Sequence, residues 1–173
     1  MRAMRVASSV VLFAIAVVAV GPQPALLVLA YLAAVSPELW RVDLREHRLP
    51  NRLVLPGYLV ALTAVGWQWW ASGNTPYVAL ASGAAYCGFL LLLSLAGGMG
   101  MGDVKLAGVL GLAAGLASPA AAVVSPVIAF LAGGVVAAVQ LARGDSGTSI
   151  PFGPYLLAGF WVAVGLSPGG SST

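Results

Sequence analysis

The chain has 173 residues, of which 60% are hydrophobic and only 8% charged. A soluble domain carries about a quarter charged residues, so this composition and a mean hydropathy of +0.97 exclude a soluble globular protein. They predict an all-α, polytopic transmembrane helix bundle forming one domain over 1–173. The formal net charge of +3 does not imply nucleic acid: no nucleic-acid module is present, and basic residues in such a chain mark cytoplasmic loops.

Apolar runs fall at about 6–20, 25–40, 53–70, 77–96, 104–117, 120–142 and 154–167. A span needs roughly 20 residues, so the runs predict about six to seven spans. No sustained period-2 alternation is present, which excludes a barrel. The first run follows Arg2 and Arg5. Its basic start also fits a signal peptide, but Pro22 makes a poor cleavage junction. The second run leads into a charged stretch holding Glu38, Arg41, Asp43, Arg45, Glu46, His47, Arg48 and Arg52. Leu49-Pro50 stops helical continuation, and Asn51 is expected to cap the third span. That span ends in Trp67, Trp69 and Trp70, where an interfacial aromatic belt belongs.

The fourth run contains Cys87, the chain's one cysteine. It reads as a small core residue and cannot alone form an internal disulfide or a Cys-based zinc site. The fifth run follows GGMGMGDVK at 97–105. Gly98, Gly100 and Gly102 let the backbone bend and approach other segments closely. Ala107, Gly111 and Gly115 form a stripe of small residues suited to tight helix packing. Arg143 and Asp145 follow the sixth run, and IPFGP at 150–154 precedes the seventh.

Basic residues alternate with uncharged breaks along the chain. The positive-inside rule then places the N-terminus in the cytoplasm and the C-terminus outside. All five acidic residues (Glu38, Asp43, Glu46, Asp103 and Asp145) fall at or near the cytoplasmic face.

Asp43 and Asp103 each have a bland reading and a functional one. Asp43 fits a solvated loop residue balanced by Arg41 and Arg45. Asp103 fits a charge favouring the positive end of the fifth helix. His47 reads as solvent-facing, and a lone histidine offers no metal constellation. The functional reading joins the two aspartates. Carboxylates converging at one depth from different spans share a single proton, because like charges that close do not both ionise easily. The ionised member takes a proton from water, the water attacks a peptide carbonyl, and the protonated member supports the oxyanion. This aspartic-protease chemistry needs no metal, no cofactor and no nucleophilic serine or cysteine.

GMGDVK at 100–105 fits a G-x-G-D-x-K signature, with Gly100, Gly102, Asp103 and Lys105. VDLREHRLPN at 42–51 fits an aspartate motif ending in Leu/Ile-Pro-Asn, here Asp43 with Pro50 and Asn51. IPFGPYLLAG at 150–159 supplies a third element with Pro151, Phe152, Gly153 and Pro154. In this order the three motifs resemble the type IV prepilin peptidases over roughly 25–167, leaving 1–24 as an additional N-terminal span. The resemblance implies a membrane aspartic endopeptidase with Asp43 and Asp103 as the catalytic pair. It implies an active site on the cytoplasmic face of the cytoplasmic membrane, and prepilin or pseudopilin substrates cut after a glycine. Such leaders are basic, which makes Glu46 and Asp145 candidate substrate contacts.

Longer members carry a cysteine-rich, zinc-binding insert before the first aspartate and also methylate the new N-terminus. Here no large loop precedes Asp43, so the resemblance is to a peptidase-only form. Two alternatives compete. A presenilin-type GxGD protease would carry tyrosine before its first aspartate and a late Pro-Ala-Leu, where this chain has Val42 and Ile-Pro-Phe-Gly-Pro. A transporter or membrane scaffold would use paired acids for a coupling ion or a partner, and should show a midplane acid or an internal repeat. Neither stands out.

Overall fold

The computed structural model describes residues 2–97, 99–143 and 151–167. These form seven α-helices: α1 (Arg2–Val20), α2 (Ala25–Glu46), α3 (Asn51–Ser72), α4 (Tyr77–Leu95), α5 (Met101–Ala117), α6 (Pro119–Ala142) and α7 (Gly153–Leu166). Each matches one of the seven apolar runs. α1, α2, α4 and α6 are long and apolar enough to cross a membrane. The protein is a multi-pass helical membrane protein. Its outward side chains are apolar, among them Leu59, Leu92 and Leu131, as a hydrocarbon solvent requires.

α5 is the central element. It touches α2, α3, α4, α6 and α7, and its side chains from Val104 to Leu116 are buried almost without interruption. A helix apolar on every side belongs inside a bundle. The stripe of small residues sets its closest contact, with α4. A Cβ on Gly111 would lie 2.5 Å from the Ser82 carbonyl oxygen and 2.9 Å from Gly83 Cα. Across this seam the Ser82 hydroxyl donates to the Gly111 carbonyl at 2.7 Å. With no Cβ at Gly111 or Gly115, the two backbones come close enough for dispersion to hold them together.

Three local expectations need correction. α2 continues to Glu46, so Asp43 sits in its last turns and is buried, not in a solvated loop. Polar residues at 41, 43, 45 and 46 end the apolar run but do not end the helix. The helix stops at His47: its N–H still reaches the Asp43 carbonyl at 2.9 Å, and its left-handed φ of 49° then turns the chain out of the helix. Asn51 does not cap α3: extended Pro50 takes that position, with no side-chain capping bond. The Asn51 amide oxygen instead accepts from Lys105 Nζ at 3.2 Å. Among the described glycines before α5, the left-handed bend falls at Gly97, with φ of 82°, and Gly98 lies outside the described residues. Gly100 has an ordinary extended conformation.

The helix order places the starts of α1, α3, α5 and α7 and the ends of α2, α4 and α6 at one end of the bundle. Most charged residues gather there. Arg5 pairs with Glu38 at 2.5 Å, and Arg41 lies 3.5 Å from the same carboxylate. Trp67, Trp69 and Trp70 stand exposed near the opposite end, on the last turns of α3.

Candidate active site

The two aspartates come from helices that approach the same end from opposite chain directions. Asp43 lies in the last turns of α2, and Asp103 in the first turn of α5. Both stand against the same turn: Leu49 packs on Gly102 beside Asp103 and on Gly153, which holds Asp43. Asp43 is 4% exposed and Asp103 is half-buried.

Their hydrogen bonding differs. Asp43 Oδ2 accepts from the Gly153 backbone N–H at 3.0 Å. Gly153 begins α7, so this amide has no partner within its own helix. Asp103 Oδ1 is buried and has no hydrogen-bond partner among the described residues. Asp103 does not cap α5: its own N–H bonds the Gly100 carbonyl at 3.1 Å, and no side chain caps the helix. A buried carboxyl oxygen left without a donor is costly in a finished structure and is open to an incoming group.

The Leu49-Pro50 turn fits between the two sides of this site. A Cβ on Gly102 would stand 3.0 Å from Leu49 Cβ, and one on Gly153 would stand 3.4 Å from Leu49 Cδ2. The glycine at 102 permits close approach of the α2–α3 turn to α5. At 153 a Cβ would also lie 2.6 Å from Asp43 Oδ2, so only glycine gives the carboxylate its amide.

Phe152 anchors the start of α7 on the other side. Its ring centroid is 5.0 Å from that of Phe130 on α6, and it fills the space over Gly133, where a Cβ would lie 2.6 Å from Cε2. Pro154 is buried in the first turn of α7, and Pro151 is half-buried before it. Lys105 and Asn51 join α5 to α3 at the rim. Tyr58 reinforces that junction by donating to the Lys105 carbonyl at 2.8 Å.

Residues from all three motifs thus meet around Leu49, with Gly153 and Asp43 on one side, Gly102 on the other, and Asn51 bonded to Lys105 at the rim. Glu46 is exposed on the last turn of α2, and His47 is exposed beside it. Asp145 and Ile150 lie outside the described residues. Sequence reasoning placed Gly153 near the site but missed its bond to Asp43 and the role of Leu49 as the wedge. Tyr58 was missed too, and no local signal marks it.

Residues 26–142 match the model of the type IV leader peptidase family. The chain belongs to that family. The matched region holds both aspartates and stops before α7. Among curated proteins, the chain is 34% identical over 133 residues to the prepilin leader peptidase/N-methyltransferase of Stutzerimonas stutzeri, covering 71% of this chain and 44% of that protein. It is 33% identical over 128 residues to the protein so named from Pseudomonas aeruginosa, covering 71% and 43%. A third relative, from Xanthomonas campestris, is 34% identical over 129 residues, covering 70% and 43%. The chain therefore spans less than half the length of the relatives it matches. No solved structure matches it significantly.

Proposed function

We propose that this member of the leader peptidase family is a membrane aspartic endopeptidase with Asp43 and Asp103 as its catalytic pair. The observation that carries this reading is that carboxyl groups from α2 and α5 stand on either side of the Leu49 wedge at one end of the bundle, one holding the Gly153 amide and one with a buried oxygen lacking a partner among the described residues. Brought together over a substrate, two carboxyls hold one proton between them, and that proton belongs to the pair. The ionised member deprotonates a water molecule, which attacks the scissile carbonyl. The protonated member donates a hydrogen bond to the oxygen as it gains charge. Collapse of the tetrahedral intermediate breaks the C–N bond, and the amine leaves with a proton from the pair.

The substrate is the leader of a prepilin or pseudopilin, cut after a glycine at the cytoplasmic face of the cytoplasmic membrane. The charged end of the bundle supports that orientation through the positive-inside rule. Glu46 is offered as a contact for a basic leader because it is exposed beside α2's end, and Asp145 as a second acidic contact. If the double alanine variant keeps the wild-type rate and leader preference, neither residue has that role. The proposal covers the peptidase alone.

The test is the intact mass of a candidate prepilin co-produced with wild type, Asp43→Asn or Asp103→Asn, at matched membrane levels. Loss of the leader after its glycine with wild type alone is the expected result. Cleavage at the wild-type rate in either variant overturns the two-aspartate mechanism.

A further inference from the structure

A cavity of about 870 Å³ opens on the outside of the bundle between α1, α2 and α7. Neither aspartate lines it. Its walls are apolar: Val11 and Leu12 from α1, Trp40 and Leu44 from α2, and Leu157 and Trp161 from α7. The polar groups in its floor are already satisfied, since Trp161 Nε1–H donates to Ser36 Oγ at 3.0 Å and Ser36 donates to the Leu32 carbonyl. The body of the cavity therefore suits hydrocarbon.

One end is different. Arg5, Arg41 and Arg45 line it, at the charged end of the bundle. Glu38 pairs with Arg5 and lies near Arg41, so it offsets one of the three positive charges. Arg41 Nε is buried without a hydrogen-bond partner among the described residues. An apolar slot closed at the membrane surface by surplus guanidinium charge, with an unused donor, has the polarity of an acidic lipid: hydrocarbon tail below, anionic headgroup above. Guanidinium is the side chain best matched to phosphate oxygens. A basic leader peptide is the wrong occupant, because the same arginines repel it. Topology alone requires only that basic residues lie on one side; it does not require them to converge from two helices on one groove.

We propose that the α1–α2–α7 groove is a binding site for an anionic phospholipid, with its phosphate held by Arg41 and Arg45 and an acyl chain lying between α1 and α7. Two of the three walls, α1 and α7, lie outside the region that matches the leader peptidase family. The site is independent of the peptidase chemistry and gives α1 a role: it forms one wall of the groove, and its Arg5–Glu38 pair fixes that wall to α2.

The test is lipid retention by the full chain. Protein reconstituted in nanodiscs of equal phosphatidylglycerol and phosphatidylcholine is extracted in mild detergent, and the retained lipid is weighed by native mass spectrometry. Wild type is expected to retain phosphatidylglycerol at about tenfold or more over phosphatidylcholine, on the scale of about one arginine's worth of surface attraction per charge. Arg41→Gln with Arg45→Gln should bring the ratio to unity, and the double lysine variant should keep most of it. Ser8→Trp, which fills the slot without touching the charge, should abolish retention of either lipid. Equal retention of both lipids by wild type overturns the proposal. So does retention that survives Ser8→Trp but not the arginine changes, which places the headgroup at the surface and the tail elsewhere. If Ser8→Trp leaves retention intact but slows prepilin cleavage, the groove holds an apolar part of the substrate and the lipid assignment is wrong.

Discussion

The backbone N–H of Gly153 donates to Oδ2 of Asp43 at 3.0 Å across 110 residues of sequence. This bond makes the start of α7 part of the site. Gly153→Ala puts a methyl group 2.6 Å from that oxygen and 3.2 Å from Cγ, so either the carboxyl group or the helix start must move. A misplacement of about 1 Å at a reacting group costs about 100-fold in rate. Prepilin cleavage should fall by about that factor, chiefly in kcat, while the protein remains in the membrane at near wild-type level. Full activity in Gly153→Ala would show that the amide does not position Asp43.

The aspartates themselves give a sharper prediction, in the pH profile. The mechanism requires one proton on the pair, no more and no less. On the acid side both carboxyls are protonated and the base is lost. On the alkaline side both are ionised and the donor is lost. The rate should therefore rise and then fall with pH, and the two apparent values belong to the pair. Asp43→Asn and Asp103→Asn should each lower cleavage by about 100- to 10,000-fold, the usual worth of a general acid or base. A rate that climbs to a plateau with no alkaline fall would mean that no protonated carboxyl is needed.

Much of this architecture was legible because it depends on local composition. Seven apolar runs became seven helices, and the breaks at 21–24, 71–76 and 117–119 became turns or caps. Helix ends were less legible at the charged face. Asp43 belongs to a helix whose last residues are polar, and hydropathy does not see polar turns. Asp103 was expected just ahead of its helix and lies inside its first turn. Asn51 has good capping chemistry, but the Lys105 ammonium claims its side chain, and no local rule reveals a partner 54 residues away. The same distance problem hid the Gly153 bond and the convergence of Arg5 with Arg41 on Glu38.

The α4–α5 seam predicts opposite outcomes for two glycines. A Cβ on Gly111 meets backbone atoms of Ser82 and Gly83 at 2.5 and 2.9 Å, whereas one on Gly88 meets nothing within 4 Å. Backbone does not rotate aside as a side chain does. Gly111→Ala should therefore push α4 from α5 and destabilise the bundle by about 1–3 kcal/mol, the usual scale of overpacking. Gly88→Ala should be neutral or stabilise by up to about 1 kcal/mol, because alanine favours helix over glycine. Thermal unfolding in one detergent, followed by helical circular dichroism, separates them. Equal midpoints for the two variants would mean that the seam is looser than this packing.

Tyr58 tests how firmly α3 holds the fifth helix beside its aspartate. Its hydroxyl donates to the Lys105 carbonyl at 2.8 Å, two residues beyond Asp103, and the hydroxyl with the adjoining ring edge occupies the space that a Cβ on Gly108 would need. Tyr58→Phe keeps the ring and removes the donor together with the oxygen that lies over Gly108. Hydrogen bonds between membrane helices are worth about 0.6 kcal/mol on average and about 1.7 at most, so the fold should survive with a small loss of thermal stability. Tyr58→Ala also removes a half-buried ring packed against α5 and should cost more, up to about 3 kcal/mol, the low end for loss of an aromatic ring. If the hydroxyl merely fastens two helices, cleavage by Tyr58→Phe should follow its stability and recover fully at lower temperature. A rate defect that persists where the variant is fully folded would show that the Lys105 carbonyl must be held for Asp103 to meet Asp43.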